Sequence, residues 1–184
     1  MTVAQLSGED NITLSESFAK LYDEHLPGIF RYISYRIGDA VVAEDLTSVV
    51  FEKALAGFRS YKRERAAPQT WLLSIARNTL TDYFRKAARN QSVPLENADG
   101  VASSGPSPEE KVESIEEVER LRFCLARLGH QEQEIISLKF GAEITSRRIA
   151  IMLSLSESNV GVILFRALRK LKDCFMEWLN GKRR

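Results

Sequence analysis

Residues 70–90, TWLLSIARNTLTDYFRKAARN, carry the side chains best suited to chemistry in this chain. Placed at about 100° per residue, Leu72, Ile75, Ala76, Thr79, Leu80, Tyr83 and Ala87 form one apolar side. Ser74, Arg77, Asn78, Thr81, Asp82, Arg85 and Arg89 form the other, and Trp71 falls among them. A large aromatic beside guanidinium and amide groups can stack on an unpaired base while the cations hold phosphate. Asp82 is expected to orient Arg85 or Asn78, since a carboxylate repels phosphate. The plain alternative is a solvated helix face with Trp71 folded into a neighbouring crevice.

Catalytic chemistry has no comparable foothold. The two histidines, His25 and His130, sit in neither a nucleophile–base nor a metal-ligand spacing. No Gly-rich phosphate loop precedes a helix, and the acidic residues concentrate in residues 96–119. The chain therefore reads as a non-enzyme without catalytic residues, metal, cofactor or small-molecule substrate. Cys124 and Cys174 belong to no CxxC pair and are expected to be reduced thiols. The start lacks an apolar signal core, and the most apolar run, 149–165, contains Glu157 and Asn159. The expected location is the cytoplasm.

The elements that must position these residues are all helical. Phe18, Leu21, Tyr22 and Leu26 start a first helix that Pro27 should kink or break, and Ile29, Phe30, Ile33 and Ile37 continue it. Gly38-Asp39 stops it and caps a second helix over about 40–55. A polar, basic stretch over 59–68 reads as a loop, followed by the 70–90 helix. Residues 91–113 are rich in Ser, Pro, Gly and acid and read as a flexible acidic linker. Helices over 114–128, 131–140, 146–153 and 157–179 follow. The expected fold is all-α, with an N-terminal tail (1–12) and two small helical domains, 13–90 and 114–184, joined by the linker.

A helix-turn-helix falls inside the second domain. A short helix from Ser146 carries Ile149, Ala150 and Leu153, a Ser-Leu-Ser turn spans 154–156, and a longer helix carries Val160, Ile163 and Leu164 up to Phe165. A small residue, a tight turn and an early apolar residue suit two helices that cross steeply, the second entering a major groove by its N-terminus. Glu157, Ser158, Asn159, Gly161 and Val162 would face bases. Arg147, Arg148, Arg166, Arg169, Lys170 and Lys172 would lie near phosphates. A plain antiparallel hairpin is the alternative. The charge distribution agrees with two polyanion-facing surfaces. Residues 1–58 have four Lys/Arg against nine Asp/Glu, 59–89 eight against two, 96–119 one against eight, and 139–184 ten against four.

The order AEDLTSVVFEKAL, TWLLSIARNTLTDYFRK, loose linker, helix-turn-helix resembles an extracytoplasmic-function sigma factor of the sigma-70 family, over about residues 18–175. The resemblance implies a promoter-specificity subunit of RNA polymerase. It implies that 45–58 docks on the clamp helices of core polymerase through Asp45, Leu46, Thr47, Phe51, Glu52, Lys53 and Phe58. It implies that the loop over 59–69 captures a flipped base of the minus-ten element, with Arg59, Lys62, Arg63 and Arg65 in the loop and Trp71, Arg77, Asn78 and Arg85 on the helix holding the melted strand. The second domain would read the minus-thirty-five element as duplex and meet the polymerase flap. An anti-sigma factor is an implied partner. Two positions depart from the family's habit: Ser48 and Val49 stand where Gln and an acid usually follow Asp-Leu-Thr, and Gly161, Val162 and Ile163 stand where basic residues are usual. These departures motivate a second reading, a sigma-like adaptor that binds polymerase or a regulator without reading DNA. A free-standing helix-turn-helix repressor is a third, and leaves the Trp71 helix unexplained.

Overall fold

The computed structural model describes residues 6–90 and 108–182, with side chains placed over 15–89 and 116–180. Residues 1–5 and 91–107 lie outside the described residues; the rest of the expected tail, 6–12, belongs to the first helix (Leu6–Ile37) and the end of the expected linker, 108–113, to the fourth (Pro108–Ala126), so neither is tail or loose linker there. Seven α-helices follow in order: α1 (Leu6–Ile37), α2 (Ala40–Gly57), α3 (Pro68–Asn90), α4 (Pro108–Ala126), α5 (His130–Ile136), α6 (Ser146–Leu153) and α7 (Glu157–Lys182). A 3-10 turn, Phe58–Ser60, follows α2, and a π-helical turn, Ser137–Gly141, follows α5. The described residues contain no strand.

Pro27 lies inside α1 and does not end it, so the expected break does not occur there. Its ring sits on the exposed side, where water can take the carbonyl that loses its partner. Leu21, Ile29 and Ile33 are buried on the inner side, before and after the proline. Gly38, with φ +77°, then turns the chain, and the Asp39 carboxylate accepts from the Val42 amide to cap α2.

Helices α1, α2 and α3 form a three-helix layer around Ile29, Ile33, Val50, Ala54, Leu72, Leu73, Ala76 and Leu80. The same cluster continues without a break into Ile135, Leu138, Ala142, Ile144, Ile149, Ala150 and Val160 of the C-terminal region. Tyr32 is fully buried at this junction. The N-terminal and C-terminal regions therefore pack on each other through apolar side chains. A second small cluster, Leu125, Leu128, Ile136 and Ala167, ties α4 and α5 to α7.

The cysteines correct the sequence reading. Cys124 on α4 and Cys174 on α7 form a disulfide, with Cα atoms 5.9 Å apart. That span lies within the reach of a disulfide, and it arises because α4 packs along α7. A sequence separation of 50 hides this proximity from the sequence. No single helix among the described residues is long and apolar enough to cross a membrane.

Candidate nucleic-acid and polymerase interface

The loop after α2 is built on stacked rings. Tyr61 stacks on Trp71 with centroids 4.4 Å apart, and Phe58 lies 6.3 Å from Tyr61 and 6.4 Å from Trp71. The Tyr61 hydroxyl donates to the Ala66 carbonyl at 2.7 Å, closing the loop, and burial raises its pKa above the usual value. Lys62, Arg63 and Arg65 are exposed around this stack, as is Arg59 at its edge. Trp71 is half-buried: it lies in a crevice, with Tyr61 as its cover. Tyr61 escaped the sequence reading because a lone tyrosine in a basic loop has no periodic partner.

Along α3 the candidate residues separate. Asn78 is exposed. Arg85 is exposed and pairs with Asp82 at 2.7 Å, the orienting role expected of that carboxylate. Arg77 turns inward: its Nε donates to Glu134 at 2.9 Å and another guanidinium nitrogen donates to the Met152 carbonyl at 3.2 Å. Glu134 also accepts from the Tyr32 hydroxyl at 2.9 Å and lies 3.5 Å from Arg36. One carboxylate thus joins α1, α3 and α5 in a buried network. Burial, then the charge of Glu134, pushes the Tyr32 phenol well above its usual pKa. Glu134 was missed, because its partners on α3 and α1 are 57 and 102 residues away in the sequence.

On α2 the structure sorts the 45–58 candidates by exposure. Phe51 and Thr47 are buried, Phe51 with its ring edge-on to Tyr22 and Thr47 bonding back to the Ala43 carbonyl. Leu46 and Phe58 are half-buried and pack on the core. Lys53 reaches across to Thr79 at 3.0 Å. The outward face presents Asp45 and Glu52 with Glu44, Ser48 and two exposed apolar residues, Val41 and Leu55. Beside it lies an apolar groove of about 370 Å³, lined by Tyr22, Leu26, Pro27, Phe30 and Phe51 together with Thr47, Ser48 and Glu44. Val41 and Leu55 could have been found by carrying the helical period past the quoted motif.

The helix-turn-helix is present. The α6 and α7 axes turn by 105°, within the range of that motif. Thr145 caps α6 by accepting from the Arg148 amide, and Ser156 caps α7 by accepting from the Asn159 amide at 3.1 Å. Ser154 takes a left-handed φ of 55° in the turn, and Ile149, Ala150 and Val160 are buried beneath it. Glu157, Ser158, Asn159, Gly161 and Val162 are all exposed, as are Arg147, Arg148, Arg166, Arg169 and Lys172. Lys170 is exposed and engaged with Glu132 at 2.8 Å. That hydrogen bond lowers the Glu132 pKa. No group of three metal-ligating residues occurs among the described residues.

The Sigma-70 region 2 family matches residues 21–90, and Sigma-70 region 4 matches residues 124–173. The RNA polymerase sigma factor YlaC of Bacillus subtilis is 30% identical over 158 residues, covering 85% of this chain and 91% of its own length. The chain belongs to the extracytoplasmic-function sigma factors of the sigma-70 family. The ECF sigma factor BldN of Streptomyces coelicolor is also 30% identical over 158 residues, and this chain spans 60% of BldN's length. Among solved structures, the sigma factor RpoE from Bartonella quintana, in complex with the anti-sigma factor NepR, matches with a TM-score of 0.68. That match has 20% identity and covers 88% of this chain and 98% of that one. CnrH, in complex with the cytosolic domain of CnrY, matches with a TM-score of 0.59 at 20% identity, over 95% and 94% of the two chains. Family membership makes this chain a sigma factor, a subunit that directs RNA polymerase to promoters.

Proposed function

We propose that this sigma factor binds core RNA polymerase through the outward face of α2, melts the minus-ten element at the Tyr61–Trp71 stack and reads the minus-thirty-five element with α7. The observation that carries this reading is the aromatic stack ringed by Lys62, Arg63 and Arg65, in one chain with a helix-turn-helix. A base pulled from the duplex would stack on the outer face of Tyr61, with Trp71 backing it. Stacking is worth about 1–3 kcal/mol per base, which offsets much of an unstacking cost of a few kcal/mol. Arg59, Lys62, Arg63, Arg65, Asn78 and Arg85 would hold the strand's phosphates.

On α2, Asp45 and Glu52 would meet basic residues of the clamp helices, flanked by Val41 and Leu55 as apolar contacts. Phe51 and Thr47 support that face from beneath. With no basic residue at Gly161, Val162 and Ile163, base reading by α7 would rest on Glu157, Ser158 and Asn159, backbone contacts and DNA shape. The protein acts without catalysis or cofactor, in the cytoplasm. An anti-sigma factor is a fitting partner, since RpoE and CnrH have each been captured with one or with a partner's cytosolic domain.

The exposed apolar residues of α7, Val162 and Phe165, favour a second reading in which the C-terminal region binds a protein instead of DNA. Run-off transcription with purified bacterial core polymerase on pooled genomic fragments decides between them. New discrete transcripts that depend on the chain establish the first reading. Retention of core polymerase with no transcript favours the adaptor. Loss of both refutes the α2 docking face.

A further inference from the structure

The outward side of α7 is apolar where the commonest base contacts are made by arginine and lysine. At about 100° per residue, Ser158, Gly161, Val162, Phe165 and Arg169 fall within an arc of about 100°. Val160 and Ala167, both fully buried, lie on the opposite side. The strip therefore points directly away from the core, the side that a helix-turn-helix sets into the major groove. Val162 is 45% exposed and Phe165 is 69% exposed.

Gly161 stands in the middle of this strip. Glycine weakens a helix interior, and a Cβ at this position would meet nothing of the chain within 4 Å. No packing inside the protein calls for it. A missing side chain on a face that enters a groove lets the helix backbone come closer to the base edges. Exposed cations border the strip, Arg147 and Arg148 on α6 and Arg166, Arg169 and Lys172 on α7. Glu157 is the only acid over residues 157–172. An apolar strip between cations fits a groove floor between two rows of phosphates.

Among the base edges in the major groove, the thymine C5-methyl is the apolar group. A guanine or cytosine edge beneath valine or phenylalanine would lose its hydrogen bonds to water and gain none. Resting on the minus-thirty-five reading proposed above, we propose that Gly161, Val162 and Phe165 select thymine methyls in that element. Gly161 admits the backbone, and the two apolar side chains cover the methyls. Val162 and Phe165 are separated by about 4.5 Å along the helix axis. Base pairs rise by ~3.4 Å, so the two side chains meet the same or neighbouring pairs. Each methyl covered is worth about fourfold in affinity.

The test uses the full-length chain assembled with core polymerase, on a promoter recovered by run-off transcription. Thymines of its minus-thirty-five element are replaced one at a time by deoxyuridine, which lacks only the methyl. Affinity is read by competition with the unmodified fragment. A loss of about threefold or more is expected at one or more thymines. Val162→Ala and Phe165→Ala, at exposed positions, should melt like the wild type. Each should weaken the unmodified promoter by a similar factor, and a thymine sensitive in the wild type should then become indifferent to its methyl. Gly161→Ala should stabilise the helix and still weaken promoter binding. An element without thymine, or one in which every deoxyuridine is silent, overturns the inference. Variants that lose equally on thymine and deoxyuridine templates also overturn it, and a parallel fall in core-polymerase retention then marks the strip as a protein contact. Absence of any promoter-specific transcript instead overturns the minus-thirty-five reading on which it rests.

Discussion

Reducing the Cys124–Cys174 bond should cost a large share of this protein's stability. The bond closes a loop of 50 residues. The chain-entropy relation assigns such a loop about 14 cal/mol/K, or about 4 kcal/mol at 25 °C. For a chain of this size, each kcal/mol moves the melting temperature by about 2–4 °C, so reduction should lower it by about 8–16 °C. Cys124 is buried and Cys174 is half-buried, so access to the bond in the folded protein is restricted on one side only. Reduction is driven to completion in denaturant, followed by refolding under reductant and a calorimetric melt. Cys124→Ser should melt near the reduced wild type and ignore the reductant. Two titratable thiols in the non-reduced, denatured wild type would refute the pairing. A fall of under about 2 °C, with the bond shown to be present, would refute the loop-entropy argument. Loss of α4's protection from hydrogen exchange should accompany the fall, since the bond ties α4 to α7.

Other consequences follow from the same geometry. Trp71→Ala with Arg63→Ala should slow open-complex formation on a linear promoter about tenfold or more, read by permanganate reactivity of the minus-ten thymines, and spare core-polymerase binding. Charge reversal at Asp45 and Glu52 should weaken core-polymerase binding in a salt-dependent way at unchanged melting temperature. Phe51→Ala should instead cost about 3–5 kcal/mol of stability in denaturant titration, because its ring is buried. The Glu132 carboxyl is held below its usual pKa by Lys170. Its stabilising contribution is thus present above the usual glutamate range and lost as pH falls through the folded value. Lys170→Met should flatten that acid limb of a stability–pH curve. At the alkaline end burial, then the charge of Glu134, holds the Tyr32 phenol well above its usual range. Its contribution is present below about pH 10 and lost as pH rises towards the folded value, and Tyr32→Phe should remove that loss.

Local physics made much of the fold legible. The α3 stripe is periodic, and Leu72, Ala76, Thr79 and Leu80 are buried as that period requires. The helix-turn-helix announced itself through Ile149, Ala150, the Ser-Leu-Ser turn and Val160, all within twelve residues of chain. What stayed hidden depends on distant pairs. Glu134 sits beside Gln133 and Glu132 and reads as part of a solvated face, yet its partners are 57 and 102 residues away. Phe51 looked like an anchor for a partner because the motif contains it. Only Tyr22, on another helix, shows that the ring is already spoken for. Arg77 looked like its neighbours on a polar face, and the C-terminal region determines which way it turns.

The junction at Tyr32 also sets a schedule for synthesis. Its partner Glu134 lies 102 residues downstream. At about 5–20 residues per second, the ribosome needs about 5–20 s to make that stretch. Throughout that interval the Glu134–Gly141 stretch that closes over Tyr32 does not yet exist. The nascent N-terminal half therefore carries an uncovered face at Tyr32, and ribosome-associated chaperones should crosslink to α1 there until translation passes the Ser137–Gly141 codons.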